Sequence, residues 1–383
     1  MKFLFASDSF KGSLTSDQTI QLLTKAAVQI FPDCECIGIP VADGGEGTVN
    51  AIVSATDGEL FYTEAHDPLM NTLKAAYGIV EGHKAIIEMS AASGLTLVPE
   101  NRRNPLFTTT FGTGELILSA LDQGCRDITV AIGGSATNDG GLGCMKALGA
   151  KFFSSDGREL SGVGNDLAAV SMIDTGGLDE RIRDCHFTVM CDVKNPLCGE
   201  HGATRTFAAQ KGASPDVIEQ LESGMIHYRD LIRSLYGIDC DCIEGAGAAG
   251  GLGAAMKVFL NAAMQSGIET VLQLIHFDEK LLDADLVVTG EGCTDGQSVC
   301  GKVMQGVGMH ARQFGVPCIG LSGSLGEGAE KILDYGVDSL HCIVNSPMTL
   351  SEAMHDAERL YLDAAVRLFR TVKVGMSILQ KRG

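Results

Sequence analysis

Basic residues are scarce in this 383-residue chain: 29 Lys and Arg stand against 48 Asp and Glu, a formal balance of −19 with neutral histidines. Binding a nucleic-acid backbone relies on Lys and Arg placed against phosphates. With no excess and no run of five or more basic residues, nucleic acid is not expected as a partner. No window approaches the ~20 apolar residues that cross a bilayer, so no membrane partner is expected either. Met1–Ala6 is too brief for the apolar region of an export signal, and Asp8 follows almost at once. The 13 cysteines form no C-x-x-C pair, only the C-x-C pairs Cys34/Cys36 and Cys240/Cys242. They read as reduced thiols, and a cytoplasmic protein is expected. The nine histidines are dispersed without H-E-x-x-H or Cys/His zinc spacing, which argues against a transition-metal centre. A G-x-S-x-G elbow is missing, and with it the main signature of an α/β-hydrolase. Internal repeats, low-complexity tracts and tryptophan are missing too.

Glycine is abundant: 48 Gly beside 9 Pro point to many tight turns rather than disordered linkers. A grammar recurs in which a short β-rich apolar run ends in a burst of Gly, Ser, Thr and Asp before helical periodicity resumes. Phe3–Ala6, Ile37–Val41, Ile86–Met89, Ile128–Ile132, Phe187–Met190, Leu286–Val288 and Cys318–Leu321 all behave so. Loops at the carboxyl ends of parallel strands line binding crevices, so these bursts are candidate site material. Thr15 with Gln18 and Thr349 with Glu352 read as capping boxes, the second opening a long C-terminal helix. Leu73–Val80 and Lys84–Met89 flank Glu81-Gly82-His83 as an antiparallel hairpin would. The expected architecture is α/β, with residues 1–64 and 283–383 forming one doubly wound domain. Residues 65–282 are expected as an inserted α/β domain with a mixed sheet.

A phosphate site needs backbone N–H groups free to approach it, which favours glycine at a turn before a helix. Gly133-Gly134-Ser135-Ala136-Thr137-Asn138-Asp139-Gly140-Gly141 follows a strand and precedes a helical stretch, making it the strongest such loop. Gly245–Gly250 matches G-x-G-x-x-G, but acidic Asp239–Glu244 stands where a dinucleotide fold needs a buried strand; a phosphate loop fits better than NAD. Gly296–Lys302 has P-loop spacing, yet Val303 occupies the position of the Mg²⁺-binding hydroxyl, which excludes a Walker A motif. Lys11 lies just past the first strand, where an ammonium could meet phosphate. Asp43, Glu46, Asp139, Asp192, Glu291 and Asp295 lie in the bursts, and Mg²⁺ is usually held by one or two carboxylates plus substrate phosphates.

Eight ordered strings carry a resemblance across nearly the whole chain. They are SDSFKGS (7–13), PVADGGEGT (40–48), GTGEL (112–116), GGSATNDGG (133–141), CDVKNP (191–196), QKGA (210–213), GAGAAGGLG (245–253) and TGEGCTDGQSVCGK (289–302). Together they resemble the bacterial glycerate kinase family. The resemblance implies ATP-dependent phosphorylation of D-glycerate, with 2-phosphoglycerate as product, and a flavodoxin-like domain interrupted by a second α/β domain. One departure is visible: Ala208-Ala209 stand before Gln210 where the family often reads Gly-Pro.

Phosphoryl transfer asks for phosphate-cradling amides, Mg²⁺, a cationic clamp and a carboxylate near the attacking hydroxyl. Gly133, Gly134, Ser135, Thr137 and Asn138, with Gly245, Gly247 and Gly250, are expected to cradle the phosphates of ATP. Lys11, joined by Lys211, is expected to neutralise developing charge, and Asp192 or Asp295 to bind Mg²⁺ or take the hydroxyl proton. Ser9, Asp43, Glu46 and Lys211 are expected to meet the substrate, in a cleft between the domains. Competing readings are a small-acid-binding or sensor protein without turnover, a kinase for a related hydroxy acid, and a dehydrogenase using Gly245–Gly250.

Overall fold

The computed structural model describes residues 1–45 and 47–380. Its strands in chain order are β1 (Lys2–Ser7), β2 (Glu35–Gly38), β3 (Glu59–His66), β4 (Thr72–Val80), β5 (Lys84–Glu88), β6 (Asp127–Ala131), β7 (Lys151–Phe153), β8 (Met172–Asp174), β9 (His186–Met190), β10 (Ala263–Gln265), β11 (Leu286–Gly290), β12 (Cys293–Thr294), β13 (Cys318–Ser322), β14 (Ser324–Leu325) and β15 (Ser339–Cys342). They form a five-stranded sheet, β15-β13-β11-β1-β2, a six-stranded sheet, β10-β9-β6-β5-β4-β3, and the short pairs β12-β14 and β7-β8. Contacts divide the chain into two compact units, Met1–Asp43 with Ile268–Gly383, and Gly44–Gly267.

In the first unit every pairing of the five-stranded sheet is parallel. Parallel strands are covered on both faces and read as continuous apolar runs, and Phe3, Leu4, Phe5 and Ala6 of β1 are fully buried. Phe3 and Phe5 share a core with Leu23 and Ala26 of the Ser16–Ile30 helix and with Leu360, Tyr361 and Phe369 of the Ala357–Gln380 helix. The Thr15/Gln18 capping box is formed. The Thr349/Glu352 box is formed too, but it opens a short helix, Leu350–His355, and the long helix starts separately at Ala357. Counted within this sheet the strand order is 2-1-3-4-5, the doubly wound, flavodoxin-like arrangement. Its topological switch point lies between β1 and β11, the place at which open α/β sheets bind ligands between the carboxyl-end loops.

In the second unit β3, β4 and β5 are antiparallel, whereas β5, β6, β9 and β10 are parallel neighbours. The sheet is therefore mixed, and the hairpin between β4 and β5 turns at Glu81 and Gly82, both with positive φ. Both unit boundaries lie earlier than residues 64/65 and 282/283. β3 pairs with β4 along its whole length, from Glu59↔Ile79 to His66↔Thr72, which ties that stretch to the second unit. Beyond Gly267, His310 is bonded by Glu269 at 3.1 Å and by Asp278, which ties those residues to the first unit.

Two helices of the second unit, Phe111–Asp122 and Leu142–Ala147, cross through glycine. A Cβ at Gly143 would lie 2.0 Å from Thr109 Oγ1 and 2.7 Å from Phe111 N, and one at Gly114 would lie 2.5 Å from the Cys144 carbonyl oxygen. Among the described residues no helix is long and apolar enough to cross a membrane, and all 13 cysteines are free thiols. Gly143→Ala is expected to lower unfolding free energy by about 1–3 kcal/mol through overpacking, read by urea denaturation; an unchanged midpoint would refute the close crossing.

Candidate functional site

At the switch point of the first unit, β1 and β11 run in register to Ser7↔Gly290, and the Asp8 amide donates to the Gly290 carbonyl at 2.9 Å. Asp8 Oδ1 accepts the Ser9 amide at 2.6 Å, so Ser9 is held against the first acid beyond the strand. A tight turn follows, with the Phe10 amide on the Leu14 carbonyl at 2.8 Å and Ser13 Oγ on the Phe10 carbonyl at 3.0 Å. Lys11 stands exposed on that turn, just before the Ser16–Ile30 helix.

Asp8 is the most perturbed carboxyl of this end. Burial pushes it up to about 6, helped by the charges of Asp43 and Glu291 and opposed by the Ser9 amide and Lys11. Glu291 is buried and accepts from Thr294 Oγ1 at 3.1 Å and from Ser298 Oγ at 2.5 Å; burial raises its pKa against those bonds and the charge of Lys302. Asp295 is half-buried one turn further on, with Oδ1 accepting the Gln297 amide at 2.8 Å. The structure thus brings Asp8 within the charge of Asp43, Glu291 and Lys11 at this end of the sheet, where burial and like charge raise the Asp8 and Glu291 carboxyls. Asp8 was missed as a site residue from sequence, although it is the first acid beyond β1. Glu46 lies outside the described residues.

In the second unit the carboxyl ends of the parallel strands carry Ser90 after β5, Gly133 after β6 and Asp192 after β9. Asp192 is exposed, and its Oδ1 accepts from Ser266 Oγ at 3.0 Å and the Gly267 amide at 2.9 Å, which fixes the carboxylate beside the end of β10. The Gly44-Gly45 backbone lies against Gly133, where an added Cβ would sit 3.5 Å from the Gly44 oxygen.

The Gly133–Gly141 loop divides into an exposed rim and a buried body. Gly133 and Gly134 are exposed, whereas residues 135–143 are buried. Asp139 holds that body: fully buried, it accepts from Thr110 N at 2.7 Å, Thr110 Oγ1 at 2.8 Å, Gly141 N at 3.1 Å and Gly143 N at 3.2 Å. Burial raises its pKa and the four bonds oppose the rise. Lys211 is equally enclosed, with Nζ donating to Ser135 Oγ at 2.7 Å and to the Thr137 carbonyl at 2.6 Å.

Several expected phosphate ligands have other work here. Gly245, Gly247 and Gly250 are buried; the Gly247 amide donates to the Asn195 carbonyl at 3.0 Å, and the Gly250 carbonyl accepts the Gly140 amide at 2.9 Å. A Cβ at Gly250 would sit 2.1 Å from the Thr137 oxygen, and one at Gly247 would sit 2.2 Å from the Pro196 oxygen. Gly250 packs directly against the Gly133–Gly141 loop, whereas Gly245 and Gly247 pack against the 191–203 segment; at Gly247 and Gly250 close backbone approach accounts for the glycine. Thr137 and Asn138 are buried as well, Asn138 Nδ2 donating to Thr204 Oγ1 at 3.1 Å. Gly133, Gly134 and the edge of Ser135 are what the loop offers to an anion.

With this geometry established, the sequence model described as the Glycerate kinase family matches residues 3–373. The chain belongs to the glycerate kinase family. It is similar to a protein of Escherichia coli (strain K12) named Glycerate 2-kinase, 44% identical with 98% of this chain and 99% of the relative covered. It is also similar to a protein of Bacillus subtilis (strain 168) named Glycerate kinase, 42% identical over 97% and 99%. A crystal structure of a Salmonella typhimurium LT2 protein provisionally named glycerate kinase 2 superposes with a TM-score of 0.89 at 42% identity, covering 98% of this chain and 99% of that one. Family membership and an acid-lined switch point agree on phosphoryl-transfer chemistry.

Among the described residues no three His, Cys, Asp or Glu side chains are grouped to hold a metal ion. The donor set fits Mg²⁺ only in the nucleotide-assisted manner, in which one or two carboxylates are joined by phosphate oxygens and water. The elevated Asp8 has a direct consequence for stability. A carboxyl whose folded pKa exceeds its unfolded value favours the native state below the unfolded pKa, near 3.8, and loses that contribution as pH rises through about 6. Asp8→Asn is therefore expected to gain in Tm over wild type between pH 4 and pH 7.5, and a Tm difference independent of pH would contradict the assignment.

Proposed function

We propose that the protein transfers the γ-phosphoryl group of ATP to D-glycerate and yields 2-phosphoglycerate. The observation that carries this reading is the family membership over nearly the full chain. The polar bursts at both sets of strand ends supply matching chemistry. In the reaction the glycerate hydroxyl oxygen bonds to the γ-phosphorus, the bond from that phosphorus to the β–γ bridging oxygen breaks, and ADP leaves. The hydroxyl proton passes to a carboxylate.

Each part has residues suited to it. The exposed Gly133 and Gly134 offer backbone approach to phosphate oxygens, and Lys11 supplies a mobile ammonium for the charge that spreads over the transferring group. Asp192 and Asp295, each oriented by a backbone amide, are the carboxylates proposed to ligate Mg²⁺ or accept the proton. Asp8 joins them as a proton acceptor because its elevated pKa brings it near the operating range of a general base. Ser9, Asp43 and Glu46 are proposed to meet glycerate. Bound Mg²⁺ would neutralise phosphate charge and leave the chain to orient the acceptor. The free thiols accord with a cytoplasmic place of work.

ADP release from purified protein with Mg-ATP and D-glycerate tests the proposal, with L-glycerate, metal-free and substrate-free controls and the 2- and 3-phosphorylated products resolved. Turnover that depends on D-glycerate and Mg²⁺ and gives the 2-isomer is expected. Folded, ATP-binding protein without turnover would refute it. Asp192→Asn and Asp295→Asn are each expected to reduce kcat about a hundredfold or more, and near-normal turnover in both would remove these acids from the chemistry.

A further inference from the structure

Burying an ammonium is expensive unless opposite charge or several acceptors repay the lost hydration. Lys211 is 2% exposed, yet among the described residues the acceptors of its Nζ are both neutral, the Ser135 hydroxyl and the Thr137 carbonyl. Among the described residues the one charged group that acts on it is Asp139, whose oxygens already accept four donors from Thr110, Gly141 and Gly143. Burial consequently pushes the amine down to about 7, with Asp139 opposing. At pH 8 most molecules carry it neutral.

The loop above this lysine has a second irregularity. Thr137 Oγ1 and Asn138 Oδ1 are buried without a hydrogen-bond partner among the described residues. Buried polar atoms rarely stay unpaired, and those that do mark strain, function or a group that arrives later. On the outer side Gly133 and Gly134 are exposed, and Ser135 stands between them and the lysine. An anion on the rim would thus be one hydroxyl away from a basic group whose protonation is nearly balanced.

We propose that Lys211 is a proton-coupled positioning residue: phosphate oxygens arriving over Gly133 and Gly134 drive the buried amine to its ammonium form, which fixes Ser135 and the Thr137 carbonyl and locks the loop in its anion-holding shape. The proton comes from solvent and stays on Nζ while the anion is bound; no covalent bond changes. Lys211 then acts through Ser135 rather than by touching glycerate. The phosphoryl-transfer reading enters only in naming a nucleotide as the anion.

Linkage supplies the test. Calorimetry at pH 8 in buffers of different ionisation enthalpy counts protons taken up when the protein binds a non-hydrolysable Mg-ATP analogue or inorganic tripolyphosphate. Wild type is expected to take up close to one proton at pH 8 and far less at pH 6, with affinity weakening by up to about tenfold per pH unit above 7. Lys211→Met is expected to abolish both uptake and pH dependence. Ser135→Ala, which keeps the amine, should retain uptake but bind more weakly. Binding without uptake, uptake that survives in Lys211→Met, or failure of both probes to bind would overturn the inference. Uptake with tripolyphosphate but no binding of the nucleotide analogue would leave it standing and refute the kinase reading instead. Should Lys211→Met not fold, ¹³Cε-labelled lysine in wild type reads the same coupling: one lysine titrating near 7 alone and higher with tripolyphosphate is expected, and no lysine titrating below 9 overturns it.

Discussion

One buried carboxylate organises the second unit. Asp139 draws the Thr110 amide and hydroxyl and the Gly141 and Gly143 amides onto its two oxygens, so the start of the Phe111–Asp122 helix, the start of the Leu142–Ala147 helix and the loop between β6 and the latter share one anchor. Burial raises the pKa of this carboxyl, and the four hydrogen bonds oppose the rise. The Gly133–Gly134 rim can be exposed because the body behind it is so fixed. The same charge also faces the interior lysine, so the anchor of the loop and the tuning of its cation are one interaction.

Polar, glycine-rich loops follow the parallel strands of both units, and that much was legible in the sequence. β1, β5, β6, β9, β11 and β13 each lie within or against an apolar run that ends in Gly, Ser, Thr or Asp, because a parallel strand covered on both faces has little alternative. Capping boxes were readable for the same reason, since the side chain that stops the strand or turn also starts the helix. Unit boundaries were less legible. β3 looks like a continuation of the first unit until its eight-residue pairing with β4 is seen, and pairing partners leave no mark in local pattern.

The glycine-rich strings show where sequence reasoning runs out. A Gly that lets a phosphate approach and a Gly that lets another backbone approach are the same residue in the sequence, and in Gly245–Gly250 the close contacts of Gly247 and Gly250 are with backbone. Asp8 escaped notice for a related reason. Its importance comes from burial beside Asp43 and Glu291, residues 35 and 283 positions away in the chain, and only the switch-point topology brings them together.

That topology also sets the order in which the molecule can be made. β1 is an interior strand of its sheet, flanked by β2 and by β11, and β11 begins at Leu286. During synthesis β1 can pair with β2 early, but its other edge must wait for nearly three hundred more residues before β11 exists, while the strands of the six-stranded sheet all lie between residues 59 and 265. Long-range parallel pairing is slow and leaves strand edges exposed. The inserted unit is thus the natural first folder, and the amino-terminal segment that carries Lys11 and Asp8 is the part of the nascent chain most in need of shelter.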